Sequence, residues 1–182
     1  MPNLRHDIIY PLGLAVLGLI LLNAGLYGLL APTQPIPVLT PASSYRLEFE
    51  RGLIGMEGWN AVEQTDEGIT FQWTNTSPAS IIFPLQYTGA MEIEFETLQA
   101  IQDQMYTDLR LMANNQLIAL ERRDKHYRGI IPAEVLDARA STVTLSFYTP
   151  PPIRPADQDP NSSDIRLLGI AFDWLDLRPL TP

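Results

Sequence analysis

The sequence predicts a mainly β protein: an antiparallel β-sandwich of jelly-roll type behind one N-terminal transmembrane α-helix. Three observations predict it. From residue 44 onward, apolar and polar residues alternate with a period of two in several separate runs, which gives strands with one face in a core and the other in water. Turn-forming residues punctuate those runs and stretches with helical period are scarce, as in two antiparallel sheets packed face to face. Ahead of them, residues 8–31 read IIYPLGLAVLGLILLNAGLYGLLA without a charge, and about 20 such residues cross the hydrocarbon core of a bilayer.

The chain divides accordingly into residues 1–7 on the cytoplasmic side, a span over 8–31, a linker over 32–43 and an extracytoplasmic domain over 44–182. A cleaved signal peptide is the rival reading of the apolar run, but its hydrophobic region usually has only about 7–15 residues and ends in small residues at the cleavage site. Here Leu29, Leu30 and Ala31 are followed by Pro32. Arg5 precedes the run and the next basic residue is Arg46, so the positive-inside rule sends the domain outside the cytoplasm. Gly18, Ala24, Gly25 and Gly28 lower one side of the helix for a neighbour, and Asn23 offers a hydrogen-bonding group where lipid offers no partner. These five residues form a candidate helix-packing interface; the plainer reading is that glycine is common in membrane spans. Prolines 32, 35, 37 and 41 hold the linker near polyproline II, a stiff spacer.

The strands follow in order. Tyr45, Leu47 and Phe49 alternate with Arg46, Glu48 and Glu50; Ile69, Phe71 and Trp73 with Thr70 and Gln72; Met91, Ile93 and Phe95 with Glu92, Glu94 and Glu96. Two runs flank Ala113, Asn114 and Asn115 and read as a hairpin, because asparagine tolerates the positive φ of tight turns. Residues 132–138 allow a turn or two of helix. Val143, Leu145 and Phe147 alternate with Thr144 and Ser146, and residues 165–177, with Ile170, Phe172 and Trp174 in alternation, read as a central strand. On that alternation Trp73 and Trp174 point into the core.

Composition narrows the chemistry. The net charge of −9 speaks against nucleic acid and against anionic lipid surfaces. With no cysteine there is no disulfide, thiolate ligand or thiol nucleophile, and the domain's one histidine, His126, sits among Arg122, Arg123, Asp124 and Lys125 as an exposed loop residue would. No nucleophile motif surrounds a serine. Glu92, Glu94 and Glu96 share one strand face, the solvated one, rather than facing each other across a cleft as glycoside hydrolysis needs. No cofactor is expected. Asp157, Asp159 and Asn161 place oxygens at alternate positions, a weak calcium candidate. Ser162 stands where an EF-hand loop needs glycine and Leu168 where it needs a bidentate glutamate, so a solvated acidic loop is favoured. Leu53, Ile54, Met56 and Trp59 lie in a glycine-punctuated loop that is either a contact surface or a cover folded over the end of the sandwich.

The runs LRLMANNQLIALE, HYRGIIPAEVLDARASTVTLSFYTPPPIRP and RLLGIAFDWLDL, within residues 109–177, resemble extracytoplasmic galactose-binding-like sandwich domains of bacterial membrane proteins, including some membrane glycosyltransferases. The resemblance implies the fold and transfers no binding residue. In layout the chain resembles the small single-span subunits of bacterial electron-transfer assemblies such as alternative complex III. Two functions follow as expectations. The first is a non-enzymatic accessory subunit of a membrane complex, with membrane and other subunits as partners. The second is a membrane-tethered carbohydrate-binding module that presents envelope glycan to an enzyme, for which an exposed aromatic platform would speak.

Overall fold

The computed structural model describes residues 44–49, 55–85, 87–136 and 142–180. The apolar run, with Gly18, Asn23, Ala24, Gly25 and Gly28, lies outside the described residues, as do the linker and Leu53 and Ile54. Among the described residues no helix is long and apolar enough to cross a membrane.

Among the described residues twelve strands form two antiparallel sheets. The first contains β1 (Tyr45–Glu48), β3 (Trp59–Gln64), β4 (Thr70–Thr74), β6 (Met91–Ala100), β9 (Leu120–Arg123), β10 (His126–Ile131) and β12 (Ile170–Pro179). Its order is β3-β4-β12-β6-β10-β9, with β1 also paired to β12. The second runs β2 (Met56–Glu57), β5 (Ala79–Pro84), β11 (Thr142–Tyr148), β7 (Arg110–Ala113) and β8 (Gln116–Ile118). The closing strand is central, as its apolar content predicts. One edge of it pairs with β6 throughout; the other is shared between β4, opposite Ala171 and Phe172, and β1, opposite residues from Trp174 to Leu177.

Alternation works as expected in most strands. Leu47, Phe49, Ile93, Phe95, Val143, Leu145 and Phe147 are all buried in one cluster that joins the two sheets. Its centre is aromatic: Phe172 lies 4.9 Å from Phe147, 5.5 Å from Phe95 and 5.2 Å from Trp59, ring centre to ring centre. The contacts with Phe147 and Trp59 are edge-on, which suits the ring quadrupoles, and the first ties β12 to β11 across the sandwich. Met105, on the short helix Gln104–Asp108, fills the same cluster.

The β7–β8 hairpin turns on Asn114 and Asn115, with φ of 45° and 66°, the two left-handed residues of a type I′ turn. Asn114 also accepts from the Thr144 amide at 2.9 Å and donates to the Val135 carbonyl at 3.0 Å, fixing the hairpin to β11 and to the 3₁₀ turn Ala133–Val135.

Three expectations need correction. The charged stretch around His126 is a hairpin rather than a loop: β9 and β10 turn at Asp124, whose φ is 56°, and His126 is the first residue of β10. The strand expected over 165–177 begins only at Ile170. Before it Leu168 exchanges two backbone hydrogen bonds with Ile153, which ties the preceding loop to the Pro-rich segment, and Ile165 stands 73% exposed. Trp73 is buried, but in a second cluster with Phe71, Leu168 and Ala171. Ala171 alternates with Ile170 and Phe172 of the main core and pairs with Trp73, so this cluster covers the other face of the sheet.

Candidate functional site

The sequence places Trp174 inside; the structure places it outside. Pairing of β12 with β6 shifts register between Ala171 and Phe172 and again between Phe172 and Trp174, leaving Leu98 and then Asp173 without partners. Each extra residue reverses the side-chain alternation of its own strand, as β-bulges do. Ile170 and Phe172 face the core; past Asp173, Leu175 and Leu177 do, all four fully buried. Trp174, Asp176 and Arg178 are thereby turned to the outer face. The conflict is written in the sequence, where Phe172 and the pair Leu175 and Leu177 cannot share a face at a strict period of two.

Cross-strand register then assembles three rows on that face. His126, Glu96, Trp174 and Glu48 are consecutive partners in the first; Arg128, Glu94, Asp176 and Arg46 in the second; Ile130, Glu92 and Arg178 in the third. The third row and half of the second form a tight ionic lattice. Arg178 reaches Glu94 at 2.6 Å and Asp176 at 3.1 Å, and Arg128 pairs with Glu92 and, at 3.8 Å, with Glu94. The glutamates were expected on a solvated face; they share that face but their side chains are largely covered, Glu92 at 10% exposed and Glu94 at 16%. The guanidiniums above them are roughly half exposed, so each pair adds little net stability and chiefly compensates carboxylates drawn out of water. Hydrogen bonding to Asp176 raises the pKa of Arg178 further. Asp176 is itself 6% exposed, and among the described residues its Oδ1 has no partner.

The first row is organised around the half-buried indole. Its Nε1–H donates to Glu96 Oε2 at 3.0 Å, the Arg46 guanidinium lies 4.3 Å from the ring centre, and the His126 imidazole lies 5.5 Å away at 60°. Among the described residues Arg46 otherwise pairs with Glu48 at 3.1 Å, an exposed pair. Burial, together with the charges of Glu96 and Glu48, raises the pKa of Asp173, and Arg46 opposes the shift.

The outer face of the five-stranded sheet carries a second aromatic. Tyr148 is 37% exposed and pairs in register with Arg110; Ser146, two residues back on the same face, shares a 3.0 Å hydrogen bond with Ser80. Leu117 and Ile82 are exposed on the same side.

Of the residues singled out from sequence, Trp59 and Met56 are half-buried against the main core. The Trp59 indole donates to the Ser80 carbonyl at 3.0 Å and its ring packs on Phe49 and Phe172. Both stand on edge strands rather than in a loop, Met56 on β2 and Trp59 on β3, and pack on the core from there. In the acidic loop, Asp159 accepts from both the amide and the side chain of Asn161, while Asp157 faces Arg154 at 3.9 Å. One oxygen each of Asp157 and Asp159 is turned to these local partners, and Asn161 takes part only as a donor. Among the described residues no group of three or more histidine and acidic side chains is arranged to hold a metal ion. Sequence reasoning missed Arg46, Trp174 and His126 as neighbours, and Tyr148 as an exposed ring.

No family model matches the chain, and neither does any curated protein. Among solved structures it is similar to a GH26-CBM35 β-(1,4)-mannanase from Podospora anserina, at 13% identity and a TM-score of 0.42 over 76% of this chain. It spans 28% of that mannanase chain. It is also similar to the C-terminal CBM6 of LamC, a marine laminarinase from Zobellia galactanivorans, at 14% identity and a TM-score of 0.35, over 75% of this chain and 99% of that one.

Proposed function

We propose that the chain is a non-enzymatic glycan-binding module, tethered to the membrane by residues 8–31, and that the outer face of its seven-stranded sheet recognises the sugar. The observation that carries this is the indole of Trp174, turned out of the core by the bulge at Asp173 and rimmed by Glu96, Glu48, Arg46 and His126. An aromatic face offers its π surface to the C–H face of a pyranose, and carboxylates and a guanidinium at its edge suit the hydroxyl groups around that ring. In the neighbouring rows Glu92 and Glu94 are engaged with Arg128 and Arg178, and Asp176 with Arg178 through one oxygen. The accessory-subunit reading rests on the helix face of Gly18, Asn23, Ala24, Gly25 and Gly28, and no observation on the sandwich favours it.

The test is retention of the protein on a panel of immobilised polysaccharides, with Trp174→Ala and Tyr148→Ala beside it. Retention by at least one polysaccharide, lost in Trp174→Ala and kept in Tyr148→Ala, is the expected result. Loss only in Tyr148→Ala moves the site to the other sheet, and no retention by any polysaccharide overturns the reading.

A further inference from the structure

The Trp174 ring already holds a ligand, and that ligand is a cation supplied by the chain itself. Arg46 lies over the ring at 4.3 Å, and around the pair stand Glu48, opposite Trp174 across the strand pair, Glu96, bonded to the indole N–H, and Asp173, next in sequence. Of these carboxylates Glu48 pairs with the guanidinium at 3.1 Å, Glu96 accepts from the indole N–H, and Asp173 lies near enough for the charge of Arg46 to act on it. An aromatic face with carboxylates at its rim is the chemistry that holds ammonium and guanidinium groups. The raised pKa of Asp173, which burial and the neighbouring Glu96 produce and Arg46 opposes, agrees with a site short of positive charge.

Arg46 also has somewhere to go. Its partner directly across the β1–β12 pair is Asp176, with Cβ atoms in such a pair about 4.5–5.5 Å apart. Asp176 is buried, bonded through Oδ2 to Arg178, and leaves Oδ1 without a partner among the described residues. Leaving one carboxylate oxygen orphaned in a buried setting has a desolvation cost; an Arg46 rotated off the indole would satisfy it. The contact that Arg46 would give up, with Glu48, joins two side chains that are 45% and 56% exposed, a pair of the kind that contributes little.

Resting on the glycan-binding reading above, we propose that the Trp174 face selects glycans bearing unsubstituted amino groups, and that the sugar ammonium takes the place of Arg46, which moves to Asp176. The amine would then sit among Glu48, Glu96 and Asp173 while the pyranose ring stacks on the indole. Arg46 acts as an internal competitor that keeps the ring covered until a cationic sugar arrives.

The experiment is calorimetric titration of the full chain in detergent, at a pH where glucosamine is protonated, with three short oligosaccharides of matched linkage. These are a glucosamine oligomer, its fully N-acetylated form and the corresponding glucose oligomer. The expected result is binding of the amine form at least about tenfold tighter than the other two, the scale of one desolvated cation–π contact. Arg46→Met keeps the aliphatic stem and removes the competing charge, and is expected to tighten amine binding. Asp176→Asn weakens the landing place for Arg46 and is expected to loosen it. Trp174→Ala leaves the net charge unchanged, so it separates the site from general attraction to a chain of charge −9; binding that survives it overturns the proposal. Equal affinity for the three oligosaccharides, lost in Trp174→Ala, also overturns it while leaving glycan binding in place. Failure of all three to bind, when a polysaccharide of the panel is retained, overturns the amine selectivity alone. If the whole panel fails as well, the glycan-binding reading falls with it.

Discussion

The bulge in β12 makes a prediction that runs against side-chain size. Phe172 and Trp174 are two residues apart on one strand, and uninterrupted alternation would bury both. The structure buries Phe172 completely, in contact with the rings of Phe147, Phe95, Trp59 and Phe49. It turns Trp174 outward, where the ring has Arg46 and His126 beside it and a hydrogen bond to Glu96. Truncating Phe172 to alanine removes the transfer energy of a full ring and leaves a cavity between two sheets that cannot close up, about 4 kcal/mol for a buried aromatic. That is a large share of the roughly 5–15 kcal/mol that holds a domain together. Trp174→Ala removes a cation–π contact worth about 0.5–1 kcal/mol and one partly exposed hydrogen bond worth about 0.5–1.5 kcal/mol, about 1–2.5 kcal/mol in total. Urea unfolding of the two variants separates the cases. With m near 2 kcal/mol/M, the midpoint falls by about 2 M for Phe172→Ala and by about 0.5–1.2 M for Trp174→Ala. A Trp174→Ala midpoint as low as that of Phe172→Ala, at unchanged m, would mean that the strand continues without the bulge, and the outer-face site would not exist.

Three further outcomes are expected. Asn114→Ala removes hydrogen bonds to Thr144 and Val135 and strains a φ of 45°, which lowers stability by about 2 kcal/mol in urea unfolding; Asn114→Gly, which relieves the turn but keeps none of the side-chain bonds, falls between the two. The raised pKa of Asp173 means that its charged form is disfavoured in the folded state. Stability from this group is therefore greatest below its ordinary pKa of 3.8 and declines as pH rises through the shifted value. Asp173→Asn should accordingly raise the melting temperature at pH 7 and leave it unchanged near pH 3; an equal rise at both pH values would refute the linkage. Burial pushes the Tyr127 hydroxyl up to about 12, and it donates to the Tyr106 carbonyl at 2.8 Å. Ultraviolet titration of the folded protein should show a late-ionising tyrosine that disappears in Tyr127→Phe.

Much of the fold is local information. In the first six residues of β6 and in β11 every second residue is large and apolar, the intervening ones are mostly polar, and each stretch lies with the predicted face inward. The Asn114–Asn115 turn is readable because few residues besides glycine and asparagine accept two successive left-handed conformations. The short β9 and β10 hairpin was harder, since Arg122, Arg123 and Lys125 look like a solvated loop. At the sheet edge that same charge is compatible with a strand whose outer face is in water, and edge strands are often charged.

What the sequence by itself determined is part of the strand set, the runs of β1, β4, β6, β7, β8, β11 and β12, together with the inward faces of β1, β6 and β11 within their unbroken stretches, the hairpin at Asn114, and the lack of a thiol or multi-histidine site. These depend on neighbours a few residues away, whose spacing is fixed by backbone geometry. What only the tertiary structure decided is which runs break phase and what then meets on a shared face. Trp174, Glu96, His126 and Arg46 come from four strands, and their meeting depends on the register of β1, β6 and β10 against β12. Register is a property of paired strands, set when both sheets bury their apolar faces at once. A bulge at Asp173 is the adjustment that lets Phe172, Leu175 and Leu177 all reach the core, and the turning out of Trp174 is its consequence.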